Sequence, residues 1–184
     1  ILTTAFNPHT LAHIFPWHHA AGDFVVRLDE GGRPAVRMIT VRDYASLLPP
    51  LGAAAGAGGD SDETLERLLY GLLLFVVQAA LRLRVDRLDG VGELVLHPVA
   101  MVAPICRGLL DGLAGMRRRW GLPGELDGVV RGYLRSLSLG ELQSLNQTLQ
   151  GGFAPGSPER VACAPFLEPH GEALFACLQS TERH

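Results

Sequence analysis

The sequence predicts an α+β domain, predominantly helical, with an N-terminal antiparallel β-hairpin or small sheet. Three observations predict it. Leu65, Leu68, Leu69, Leu72, Val76, Ala79 and Leu83 recur at helical spacing through the most apolar stretch of the chain. Two β-rich runs, 24–28 and 35–41, flank Asp29-Glu30-Gly31-Gly32, a turn composition. From Pro98 to Gln150 the chain is punctuated by helix starts and stops rather than by strand alternation. With 184 residues the chain fits one domain spanning 1–184, and a domain of that size buries roughly 70% of the surface its unfolded chain exposes.

Asn7-Pro8 reads as an N-cap followed by proline in the first helical position, opening a short helix to Ile14 that Pro16 stops. The hairpin follows, with a loop longer than two residues; this first part runs over 1–50. A lone two-stranded hairpin is marginal in water, so it is expected to pack on the helices or to recruit further strands, such as Glu93–Leu96 or Arg160–Cys163. Residues 51–61, rich in Gly and Ala, read as a flexible loop leading to a helical part, 62–184. Asp60 or Ser61 can cap the next helix, with Glu63 in its first turn. That helix is apolar all round in its middle turns, hence central.

Pro98 opens a second helical stretch, kinked or restarted at Pro104, that ends in Arg117-Arg118-Arg119 before Gly121 and Pro123. Three cations in a last turn complement the helix dipole, and glycine then proline end the helix. A third helix is predicted over 125–137, a fourth capped by Ser138 and running to Gln150, and a last short one over 170–179.

Composition excludes several function classes. Every basic residue is arginine, which removes a lysine Schiff base and a Walker-type lysine and leaves planar guanidinium forks for any anion clamp. A formal charge of −3 offers no electrostatic footprint for nucleic acid. Cys106, Cys163 and Cys177 are odd in number and widely spaced, against a disulfide scaffold or zinc ribbon and in keeping with a reducing cytosol. The apolar run from Leu68 to Leu81 is bounded by arginines and falls short of the ~20 residues a membrane crossing needs, so no membrane span is expected. No secretory signal pattern opens the chain, and a cytoplasmic protein is expected.

Three constellations can carry chemistry. His9, His13, His18 and His19 cluster around Pro16-Trp17. In the expected helix His9 and His13 share a face, and with one of the later pair they can form a three-histidine metal site; without HExxH, histidines bonded to backbone carbonyls are the preferred reading, and no metal ligand is assigned. Arg42-Asp43-Tyr44 lies where the hairpin ends, a position suited to the rim of a pocket: Asp43 can hold magnesium beside a nucleotide and Arg42 can clamp a carboxylate, against the alternative of a surface ion pair. In Glu168-Pro169-His170-Gly171-Glu172, Glu168 and His170 can form an acid/base or ligand pair, while Glu172 suits a first helical turn on dipole grounds alone.

The order of these pieces carries a resemblance. The stretch His18-His19-Ala20-Ala21-Gly22-Asp23-Phe24-Val25-Val26-Arg27-Leu28, the turn Gly31-Gly32-Arg33-Pro34 and then Val41-Arg42-Asp43-Tyr44 resemble a block in the C-terminal domain of the NRPS-independent, aerobactin-type siderophore synthetases. There a Glu-Ala-His-Gly-Gln-Asn segment leads into a strand, a turn and a second strand ending in Arg-Asp-Phe, with helices after it. The stretch 137–149 is similar to the family's late helix, and Leu167-Glu168-Pro169-His170-Gly171-Glu172 looks like Leu-Glu-Ala-His-Gly-Gln placed later in the chain. Ungapped, Ala20 stands opposite the family histidine; a one-residue shift brings His19 there.

The resemblance implies catalytic roles for His19, Arg42 and Asp43, with His18, Glu168 and His170 as ligand-binding candidates. It implies ATP and magnesium as cofactors and a small carboxylate such as citrate as ligand, since the family activates a carboxylate as an acyl-adenylate and passes it to an amine or hydroxyl. The family's enzymes are much longer, and their N-terminal region supplies most triphosphate-binding residues. The expectation is therefore a siderophore-biosynthesis domain that needs a partner chain or missing N-terminal region, not a complete ligase. Alternatives are an iron-binding or ferric-siderophore-reductase-like protein, or a non-enzymatic domain that dimerises through its leucine-rich helices.

Overall fold

The structure, a computed structural model, describes residues 1–14, 24–38, 43–48, 61–87, 92–150 and 153–180. It is α+β and mostly helical. The central element is α2 (Ser61–Arg82), whose middle turns are buried on all sides: Leu72, Leu73, Leu74, Phe75, Val76 and Val77 are all under a tenth exposed. Around it pack α3 (Val102–Trp120), α4 (Leu126–Ser136), α5 (Leu139–Gln150) and α7 (Leu167–Ser180). Val102, Cys106, Leu113 and Met116 of α3, Leu134 of α4, Leu142 of α5 and Leu174 of α7 close the same core. Each such leucine contributes roughly 1.5–3 kcal/mol by leaving water.

α2 is longer than its apolar run suggested. By length and composition Asp62–Arg82 and Val99–Trp120 would each be long and apolar enough to cross a bilayer. In this fold the apolar residues of α2 lie largely inside the protein, as a core helix requires.

The N-terminal helix expected over Asn7–Ile14 does not form. A four-residue helix, α1 (Leu2–Ala5), precedes it. Asn7 does cap: its Oδ1 accepts from the amides of His9 and Thr10. A single turn follows, and Leu11 then adopts φ 56°, a left-handed conformation that ends any helix. The chain leaves as β1 (Ala12–Ile14), antiparallel to β4 (Tyr44–Ser46) with His13 opposite Ala45. Leu11 holds this geometry because its side chain is buried against Gly71 of α2, where a Cβ would come within 2.9 Å of it.

The hairpin forms as β2 (Phe24–Leu28) with β3 (Pro34–Met38), Val26 facing Val36 across the ladder. The second strand is described as far as Met38; the expected remainder, 39–41, lies outside the described residues. Asp29 organises the loop by accepting from the amides of Gly31 and Arg33, and Gly32 takes φ 74°, which glycine adopts without strain. The expectation that this hairpin recruits further strands is not met. Among the described residues each sheet has two strands, and Val25, Val26, Leu28 and Val36 are 43–63% exposed. Glu93–Leu96 contributes instead to a separate pair, β5 (Val85–Arg87) with β6 (Leu94–Leu96). The flexible loop expected over 51–61 falls at 51–60 outside the described residues, and its last residue, Ser61, begins α2.

A 3-10 turn over Val99–Met101 runs into α3 without a break at Pro104, because that proline sits in the first turn, where its missing N–H has no partner to lose. Gly121 (φ 66°) ends α3 and Arg117 reaches Asp127 of α4 at 3.4 Å. Ser138 and Glu141 form a capping box: Glu141 Oε2 accepts from the Ser138 amide and hydroxyl, and Ser138 Oγ accepts from the Glu141 amide. Arg160–Cys163 is not a strand. It belongs to α6 (Pro158–Cys163), opened by Ser157, whose hydroxyl accepts from the Arg160 amide, with proline first in the helix. A 3-10 turn over Ala164–Phe166 leads into α7, which starts three residues earlier than expected. Pro169 is again tolerated because it falls in a first turn.

Candidate functional site

The head of α7 concentrates polar side chains in an otherwise apolar body. His170 is fully buried there, and Arg84, just past the end of α2, is 2% exposed. The Arg84 guanidinium donates from Nη1 to His170 Nδ1 at 3.0 Å and from Nε to the carbonyl of His97 at 3.0 Å. A guanidinium only donates, so Nδ1 is the acceptor and the imidazole carries its proton on Nε2. Burial first, and then the neighbouring Arg84 charge, push the His170 pKa down to about 4. The ring is neutral at pH 7. Desolvation also lowers the pKa of Arg84, while nearby Cys163 favours its charge.

Gly171 follows in close packing: a Cβ there would lie 3.2 Å from Gln143 and 3.3 Å from Asn146 of α5, and those side chains would have to give way by a few tenths of an ångström. Asn146 is itself 1% exposed, and its carboxamide finds no hydrogen-bond partner among the described residues. On the outer side of the same junction, Gln143, Gln147, Leu167 and Glu168 line a hollow of about 240 Å³. One carboxylate and two carboxamides make a lining suited to a small polar molecule that donates hydrogen bonds. Glu168 and His170 thus occupy one turn but do not meet: Glu168 is exposed at the hollow, and His170 lies in the interior against Arg84.

Of the other expected site residues, His18, His19 and Arg42 lie outside the described residues. Asp43 is exposed, and its Oδ1 accepts from the Tyr44 amide at 2.7 Å, a cap at the start of β4. It lines neither the α7 hollow nor two others. One of these is a pinhole of about 20 Å³ among His13, Phe75, Gln78 and Arg82; the second is a groove of about 410 Å³ between α2, α4 and α5 with Tyr70, Tyr133 and Leu137 in its walls. His9 and His13 share no helix face. His9 is exposed, edge-on to Trp120 at 6.0 Å, whereas His13 is buried with Nδ1 2.8 Å from the Ala45 carbonyl. Burial lowers the His13 pKa, so it too is biased toward the neutral form. Among the described residues no three His, Cys, Asp or Glu side chains converge as a metal site.

Sequence reasoning missed Arg84, Gln143, Asn146 and Gln147. Arg84 carried a signal, a cation where apolar α2 gives way to a strand; the three amides, spaced for one face of α5, carried one too. No known family model, curated protein or solved structure matches this chain.

Proposed function

We propose that the chain is a siderophore-synthetase-like C-terminal domain, acting in siderophore biosynthesis or iron metabolism in the cytoplasm. In this reading it holds the amine- or hydroxyl-bearing reactant and is not by itself a complete ATP-dependent carboxylate–amine ligase. The observation that carries the reading is the polar hollow at α7, with Glu168 of the Leu-Glu-Pro-His-Gly-Glu stretch in its wall. A carboxylate attracts an ammonium group and repels citrate or a triphosphate. The Arg84 charge that would favour an anion is shut away behind His170. Activation of the carboxylate, with ATP and magnesium, then falls to a partner chain or to a further segment, and Arg42, Asp43 and His19 would face it.

Calorimetric titration tests this with 1,4-diaminobutane and with citrate. The diamine should bind saturably in the millimolar range, with affinity at least tenfold weaker in Glu168→Gln; a tenfold loss corresponds to about 1.4 kcal/mol. Citrate alone should give no saturable heat. Binding of citrate that ignores Glu168→Gln, or silence with the diamine, removes the reading.

One observation favours a second reading, a non-enzymatic interaction domain. Most leucines of α2 face the core, while the hairpin leaves Val26, Leu28 and Val36 on one side of its ladder, all exposed. Light scattering of the native chain beside a Val26→Glu, Val36→Glu double variant discriminates: a dimer that the variant dissolves supports it, and a monomer in both removes homodimerisation.

A further inference from the structure

Cys106 of α3 and Cys177 of α7 come together in the core, although 71 residues apart in sequence. Their side chains are hydrogen-bonded to each other. Cys177 Sγ also lies 3.7 Å from the carbonyl of Ala103, one turn before Cys106. Cys106 is fully buried and Cys177 is 6% exposed, so the cysteine on α7 is the more accessible of the two. The third thiol, Cys163, is fully buried in a different cluster under β5 and β6.

We propose that Cys106 and Cys177 are a redox modification site, a dithiol that a peroxide converts reversibly into a disulfide joining α3 to α7. The two sulfurs are inequivalent in the way such a site needs. The hydrogen bond between them, with Arg107 nearby, favours the thiolate on Cys177, and the same bond together with burial pushes the Cys106 thiol up; Cys177 is also the more exposed of the two. Cys177 is the attacking sulfur. Its thiolate attacks one oxygen of hydrogen peroxide, the O–O bond breaks, and the departing hydroxide takes up a proton to leave as water. The resulting sulfenic acid on Cys177 is attacked by the Cys106 sulfur. The S–O bond breaks, and the Cys106 thiol proton leaves with the hydroxide as a second water. Two thiols lose two electrons and one peroxide becomes two waters. The cross-link requires the Cα atoms to come within the ~4.4–6.8 Å that a disulfide tolerates, and the two helices that carry them already pack against each other. Cys163, whose pKa burial raises, is the internal control.

Hydrogen peroxide treatment of the folded chain, followed by intact mass and peptide mapping, tests the proposal. A loss of two hydrogens, a Cys106–Cys177 peptide, recovery by dithiothreitol and a raised thermal midpoint of the oxidised form are expected. Cys106→Ala should stop at a sulfenic acid on Cys177 that dimedone traps, and Cys177→Ala should leave Cys106 unmodified. Alanine keeps both variants apolar at core positions, and a chain whose variants fail to fold is still decided by mapping the native protein. A linkage through Cys163, an intermolecular disulfide, overoxidation without cross-linking, or no change at either cysteine overturns the proposal. None of these outcomes bears on the amine-binding reading.

Discussion

Arg84 Nη1 stands 3.0 Å from His170 Nδ1, a guanidinium donating to a neutral imidazole inside the protein. The pair joins the end of α2 to the head of α7, and the Nε bond to the His97 carbonyl adds the end of β6. One cation therefore fastens three elements, and among the described residues no carboxylate pairs with it. The arrangement holds only while the imidazole remains an acceptor.

A pH dependence follows from that condition. The folded-state pKa of His170 is depressed to about 4 from the ordinary 6.5, so between those values the unfolded chain binds the proton and the folded chain does not. The contribution is complete above about pH 6.5 and is lost as pH falls toward 4, by at most about 3 kcal/mol. His13, also depressed, adds in the same direction. Urea unfolding from pH 4 to pH 7.5 should show stability rising with pH, and His170→Asn, which keeps an acceptor oxygen for Arg84, should show a shallower rise.

Removing the cation should move the imidazole. Arg84→Met deletes the charge that disfavours protonation and leaves the His97 carbonyl and His170 Nδ1 without their donor. We expect a loss of about 2–4 kcal/mol and a His170 pKa above its native value, followed by NMR titration of the ring. The pKa should remain below 6.5, because desolvation is the larger cause and burial persists. An unchanged pKa would show that Arg84 does not act on the ring.

The helices were legible because their signals are local. Ser138 with Glu141, Gly121 after three arginines and the apolar spacing of α2 each act within a few residues. The β1–β4 pair was not legible: its strands have three residues each, lie 32 positions apart by the His13–Ala45 bond, and depend on Leu11 taking a left-handed conformation that only its packing on Gly71 explains. α6 was misread through Val161 and Cys163, although Ser157-Pro158 already spelled a cap and a first helical position. Glu168 and His170 stand two positions apart on α7, and such positions on a helix point about 200° apart. Their division between hollow and interior was therefore available from spacing, while the partnership with Arg84, 86 residues away, was not.

The capping box makes a local prediction. The two Ser138 bonds, side chain first, hold the Glu141 carboxyl below its ordinary range. Ser138→Ala should cost about 1 kcal/mol and bring the Glu141 titration closer to that of a free glutamate, read by NMR. Since Glu141 is exposed, the destabilisation should come from the lost cap and persist in high salt.

Two glycines of α3 separate close packing from helix propensity within one element. At Gly112 a Cβ would meet Thr3 Cβ at 2.7 Å and its Oγ1 at 3.0 Å, and Thr3 cannot yield freely, because its hydroxyl donates to the Leu109 carbonyl at 2.7 Å. α1 has four residues and no side-chain cap, so its placement depends on this seat. Gly112→Ala should therefore destabilise by about 1–3 kcal/mol, the usual range for overpacking, and a companion Thr3→Ala should recover part of that loss. At Gly108, one turn earlier, nothing lies within 4 Å of the place a methyl group would take. Gly108→Ala has only the backbone-entropy gain and should stabilise by about 0.5–1 kcal/mol. Denaturant midpoints for both variants check the pair. Equal effects of one sign would mean that α1 does not sit on α3 through Gly112, and the same measurement would then recast Thr3 as a surface residue.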